Sequence, residues 1–83
     1  MRLEELIGLN VRRLRQAKGL TQEALAHGAE IDTRYVGGIE RGEENPSVAV
    51  IGRLAKILDA CPADLLMEQK LDGSQNANEQ SEL

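Results

Sequence analysis

Phenylalanine and tryptophan are missing from this sequence, and Tyr35 is its single aromatic residue. Whatever core the chain builds is therefore aliphatic. One cysteine, Cys61, rules out an intrachain disulfide. With one histidine, His27, there is no ligand set at zinc-like spacing, and no metal or cofactor is implied. Cys61 reads as a small, partly buried residue and His27 as an ordinary surface or edge residue. Neither forms a nucleophile–base arrangement with the carboxylates, so an enzyme is not expected. A basic leader followed by a long apolar run is also lacking. The expectation is a chain without signal peptide or membrane span, at home in a reducing cytoplasm.

A surplus of positive charge is absent too. Ten Lys and Arg residues face fourteen Asp and Glu, a net charge of -4. The imbalance is uneven. Up to Gly42 seven basic residues oppose six acidic ones; from Glu43 onward three oppose eight. Non-specific attraction to a polyanion is therefore weak.

What is present is one small domain of 83 residues, organised around Leu20–Gly42. That stretch reads as two short helices joined by a tight turn. Thr21 caps the first helix and Asp32 the second, each side-chain oxygen accepting an orphan backbone N–H. Leu20, Ala24 and Leu25 fall on one face of the first; Ile31, Val36 and Ile39 supply the inward side of the second. Thr33, Arg34, Gly37, Gly38 and Arg41 are left pointing mostly outward. A short capped helix with a polar outer face, braced by another, suits the DNA major groove.

Leu3–Lys18 reads as a preceding helix, with Leu3, Leu6, Ile7, Val11 and Leu14 as its apolar stripe. Gly8 costs it about 1 kcal/mol against alanine, and Gly19 ends it. After the loop Glu43–Pro46, Ser47 caps a helix whose buried stripe is Val48, Ile51, Leu54, Ala55 and Leu58. Pro62 opens a short last helix, where Leu65 and Leu66 close the core. The division is a domain over residues 1–67 and a polar, disordered tail over 68–83.

The segments L-T-Q-E-A-L-A, Y-V-G-G-I-E-R-G and N-P-S, flanked by V-R-R-L-R-Q-A-K-G and I-G-R-L-A-K-I-L-D, resemble the helix-turn-helix of phage repressors and Cro proteins. The likeness covers nearly all of the chain except the tail. Y-V-G-G-I-E-R-G is most similar to the controller proteins of restriction–modification systems. The resemblance implies an all-α, five-helix lambda-repressor-like fold. It also implies a transcriptional regulator acting as a homodimer on a two-fold DNA operator.

Carried over by resemblance, Thr33, Arg34 and Gly38 contact bases. Arg34 suits guanine O6 and N7, and Gly38, lacking a side chain, narrows the readout or admits close backbone approach. Gln22 contacts a phosphate, or is merely solvated. Arg12 and Arg13 approach a phosphate, or only complement the helix C-terminus. Tyr35 reaches a phosphate or packs beside the turn. Asn45 and Ser47 are further phosphate contacts, although Glu43 and Glu44 depart from the basic residues common in this loop. Arg15 and Glu40 are implied to form a partly buried ion pair. The family has glycine where Glu30 stands, because the turn needs a positive φ; Gly28 leaves open a differently drawn turn. The dimer interface is placed at Leu65, Leu66 and Met67. A rival reading keeps the scaffold but makes it a protein-interaction module, such as an antitoxin whose acidic surface grips a toxin.

Overall fold

A computed structural model describes residues 1–68. Apart from Glu68, the expected polar tail lies outside the described residues. Four α-helices and a closing 3-10 helix follow one another: α1 (Leu3–Ala17), α2 (Gln22–Ala29), α3 (Thr33–Glu40), α4 (Val48–Ile57) and the 3-10 helix over Pro62–Leu66. The fold is all-helical, with a 3-10 turn as the fifth helix.

The helix starts follow the sequence. Thr21 Oγ1 accepts from the Ala24 N–H at 3.0 Å, Asp32 Oδ1 from Arg34 at 2.8 Å and Ser47 Oγ from Val50 at 3.1 Å. Each satisfies a donor that has no partner inside its own helix. At the start of α1 the Glu5 carboxylate accepts the Arg2 N–H instead, at 3.0 Å.

All four α-helices end in the same way. One residue turns into the left-handed region, and two backbone N–H groups fold back onto the last carbonyls. The turning residues are Gly19 (φ 70), Glu30 (φ 61), Gly42 (φ 78) and Asp59 (φ 54). The next residue in each case bonds back over five positions: Leu20 to Arg15, Ile31 to Ala26, Glu43 to Gly38 and Ala60 to Ala55. Two of these positions are glycine, for which the conformation is free. At Glu30 and Asp59 it costs about 1–2 kcal/mol. The turn between α2 and α3 is thus the ordinary one, with Glu30 strained into the glycine place. Gly28 lies inside α2, where a Cβ would stand 3.1–3.3 Å from the Ile57 side chain of α4.

The core is aliphatic. Ile7, Val11, Leu25, Ala26, Ala29, Val36, Ile39, Ile51, Leu54, Ala55, Leu58 and Leu65 are buried, and Tyr35 packs against its edge. Five positions expected to face inward or to be covered do not, among them Leu66 at the end of the 3-10 helix, which is 41% exposed while Leu65 takes the inward place. Leu3 and Val48 sit in the first turns of α1 and α4, beyond the reach of neighbouring elements, and Val48 is 86% exposed. Ala24 is exposed on the outer side of α2. Cys61 is exposed too, because it precedes the 3-10 helix and only its backbone is engaged, donating to Asp64 at 3.1 Å.

Two residues of α1 carry more of the packing than their types suggest. An ideal Cβ on Gly8 would lie 2.2 Å from the Ile39 carbonyl oxygen and 2.8 Å from that of Glu40. Gly8 is therefore where α1 crosses the end of α3, and the absence of a side chain sets their approach. Asn10 is the buried polar residue of the core. Its Nδ2 donates to the Leu65 carbonyl at 3.0 Å and the Met67 carbonyl at 2.9 Å, fastening the 3-10 helix to α1.

Candidate nucleic-acid interface

The site begins with an ion pair. Arg15 Nε lies 2.6 Å from Glu40 Oε2, and Arg15 Nη2 donates to Glu40 Oε1 at 3.1 Å. The side chains are 12% and 4% exposed. Arg15 Nη1 also donates to the Leu20 carbonyl at 2.8 Å. The bond from Glu40 raises the Arg15 pKa above its ordinary value, against the opposing effect of burial. Gln22, the first residue of α2, completes the arrangement: its Nε2 donates to Glu40 Oε1 at 3.0 Å. Three helices thus meet at one carboxylate, which fixes α3 relative to α1 and α2. Gln22 was expected at a phosphate or in solvent; here its amide belongs to this network.

Beyond that seam α3 turns a different side outward. The Arg34 side chain is 95% exposed, with only a loose 3.9 Å approach to the carboxylate of its own cap, Asp32. Thr33 is half-buried in the first turn. Arg41 Nε pairs with Glu43 Oε1 at 3.1 Å. Gly37 and Gly38, expected to point outward, are buried under side chains. Arg41 Nη1 would lie 3.2 Å from a Cβ on Gly37, and the Gln22 amide just under 4 Å. Glu44 covers Gly38, its Cγ 2.8 Å from the place a Cβ would take. The two glycines form the floor of the outer face, walled by Gln22 on one side and Glu44 on the other.

The remaining sequence candidates fall into place less uniformly. Arg12 and Arg13 are exposed on α1, and an Arg13 Nη2 stands 3.5 Å from Asn10 Oδ1. Tyr35 is half-buried against the core. Asn45 is exposed, and the Ser47 hydroxyl caps α4. Leu65 was expected both to close the core and to lie at a subunit interface; at 0% exposure it does the first and is covered by its own chain. Leu66 and Met67 do present exposed side chains. Sequence reasoning missed Gly8, Asn10 and the seat of Glu44 on Gly38. Asn10 had a signal, since it interrupts the inward apolar side of α1 between Ile7 and Val11. Gly8 had none, because a helical glycine looks the same whether it is tolerated or required.

A short capped helix held by a second across a tight turn, with one side locked and the other exposed, defines a helix-turn-helix protein. The helix-turn-helix family matches residues 11–66, and the chain belongs to it. It is 35% identical over 75 residues to the control protein C.SmaI of Serratia marcescens, covering 90% of this chain and 89% of that one. The crystal structure of the restriction–modification controller protein C.AhdI from Aeromonas hydrophila superposes with a TM-score of 0.73 at 47% identity. That match covers 75% of this chain and 94% of the other. SinR, a master regulator for biofilm formation solved in complex with DNA, matches with a TM-score of 0.71 at 31% identity, over 74% of this chain and 98% of that one. Among the described residues no helix is long and apolar enough to cross a membrane, and no group of three or more His, Cys, Asp or Glu could hold a metal ion.

Proposed function

We propose that the chain is a sequence-specific DNA-binding transcriptional regulator, working in the cytoplasm as a homodimer on a two-fold operator. The observation that carries this is the fully exposed Arg34 on a helix clamped by the buried Arg15–Glu40–Gln22 network. A rigid helix holding an unencumbered guanidinium outward is what direct reading of guanine requires. Thr33 joins Arg34 at base edges, and Gly38 shapes the reading face by adding no side chain of its own beneath Glu44. Gln22 has a second amide N–H to give to a phosphate oxygen, at the N-terminus of α2 where anions are favoured. Arg12, Arg13, Tyr35, Asn45 and Ser47 supply the remaining contacts to the sugar–phosphate chain. A single domain of this size makes too few contacts for strong selectivity, so a second copy docks through Leu66 and Met67. Relatives that are restriction–modification control proteins suggest that the target includes DNA upstream of the gene itself.

Footprinting that upstream DNA with purified protein tests the reading. The expected result is protection of an inverted repeat, with affinity falling steeply as salt rises. Arg34→Ala should weaken binding about tenfold or more, the scale of one good bidentate base contact. No protection of any duplex, with tight binding only to the product of a neighbouring gene, would replace the regulator by an interaction module.

A further inference from the structure

We propose that Glu44 reads a base: its carboxylate, seated on Gly38, selects cytosine by accepting the N4 amino group. The inference deepens the DNA-binding reading above and rests on it.

The geometry starts with the end of α3. Gly42 turns the chain into the left-handed region, and the Glu43 N–H bonds back to the Gly38 carbonyl at 2.9 Å. Glu44 follows that anchor directly, so its backbone is held over the outer face of the helix. Its side chain then lies where residue 38 would put its own. Cγ is 2.8 Å, Oε2 3.0 Å and Cδ 3.4 Å from the ideal Cβ position. No side chain at position 38 larger than hydrogen leaves that room. The glycine is therefore a seat for a residue that arrives from the loop.

The carboxylate is also uncommitted. Its neighbour Glu43 pairs with Arg41 at 3.1 Å, and Glu40 accepts three N–H donors. Among the described residues Glu44 has no hydrogen bond and no ion pair, although it is half-buried against the helix. Its acceptors have no donor among the described residues.

The major groove decides which donor suits it. An ionised carboxylate can only accept. Guanine presents N7 and O6 and thymine presents O4, all acceptors that repel it. Adenine offers its N6 donor beside the N7 acceptor. Cytosine offers the N4 donor alone on its edge. A carboxylate at position 38 of the reading face thus favours C, while Arg34 is suited to G.

Selection from a randomised duplex library by the full chain tests this. The parent should enrich cytosine at one position of each half-site by about tenfold over the other bases, the lower range of the cost of one mismatched pair. Glu44→Ala should lose that enrichment while the remaining positions keep theirs. Glu44→Gln should move it to adenine, whose N6 and N7 match an amide. Gly38→Ala, whose new Cβ displaces the carboxylate, should relax the same position. Tighter binding of Glu44→Ala to every duplex, with unchanged preferences, would overturn the proposal and leave Glu44 as a repulsive charge. If the parent enriches no sequence, the DNA-binding reading fails and takes this one with it. If the parent enriches a site to which Glu44→Ala is indifferent, only this one fails.

Discussion

The two sides of α3 are built from similar residues to opposite ends. On the inner side Glu40 is buried and takes N–H donors from Arg15 and Gln22, so that every charge has its partner. On the outer side Arg34 stands in solvent, and the carboxylate of Glu44 lies against Gly38 with no donor among the described residues. A buried charge without partners costs far more than an exposed one. The inner network must therefore be complete within the fold, while the outer one can wait for a ligand. Building both around one eight-residue helix ties the accuracy of the outer face to the rigidity of the inner seam.

The sharpest way to break that contrast is at the helix crossing. Gly8→Val would drive a side chain into the Ile39 and Glu40 carbonyls, which are backbone and cannot swing away. Denaturant unfolding should show a loss on the order of 3 kcal/mol or more, the upper range for overpacking. Glu40→Ala comes next. It leaves the largely buried Arg15 guanidinium unpaired, and urea titration should register a loss of about 3 kcal/mol. Arg34→Ala, on the other side of the same helix, should shift stability by less than about 0.5 kcal/mol. Equal losses for Glu40→Ala and Arg34→Ala would erase the distinction between the two sides.

Smaller effects sharpen it. Glu30→Gly should gain about 0.5–1 kcal/mol, because relief of the left-handed strain slightly exceeds the added freedom of the unfolded glycine. A higher thermal midpoint with unchanged DNA preference would show that the turn stores strain without using it. The smallest effect belongs to Lys18 and Asp59, paired at 2.6 Å at the protein surface. The hydrogen bond from Lys18 and its charge lower the Asp59 pKa. The stabilisation is therefore present above the ordinary aspartate value of about 3.9 and fades as pH falls through the lowered folded one. Comparing the parent with Lys18→Ala across that range should show a small difference near neutrality that vanishes in acid and in high salt.

Much of this was legible in the residues. The caps at Thr21, Asp32 and Ser47, the left-handed end at Gly19 and the inward places of Val36 and Ile39 all follow from short-range chemistry. The strain at Glu30 was legible as well, from the resemblance to a glycine-bearing turn. Leu65 and Leu66 both carry a core and an interface expectation, yet only Leu65 is core, because two adjacent leucines in a one-turn helix do not say which of them faces in. The outward face of α3 was read as open at Gly37 and Gly38. A helical wheel shows direction from the axis, but it cannot show that Arg41 and Glu44 fold back over those positions.

By itself, then, the amino-acid order determined where helices begin, where they stop and which stripe of each is apolar. Those outcomes depend on partners within four or five residues. Only the tertiary structure decided what Gly8, Asn10, Gly38 and Leu65 are for. Their partners are Ile39 and Glu40, the carbonyls of Leu65 and Met67, the side chain of Glu44 and the core. Most of these meetings join residues distant along the chain, and even Glu44 reaches Gly38 only because the chain reverses at Gly42. Contacts of that kind are set by how helices cross and how loops return, which no local pattern records.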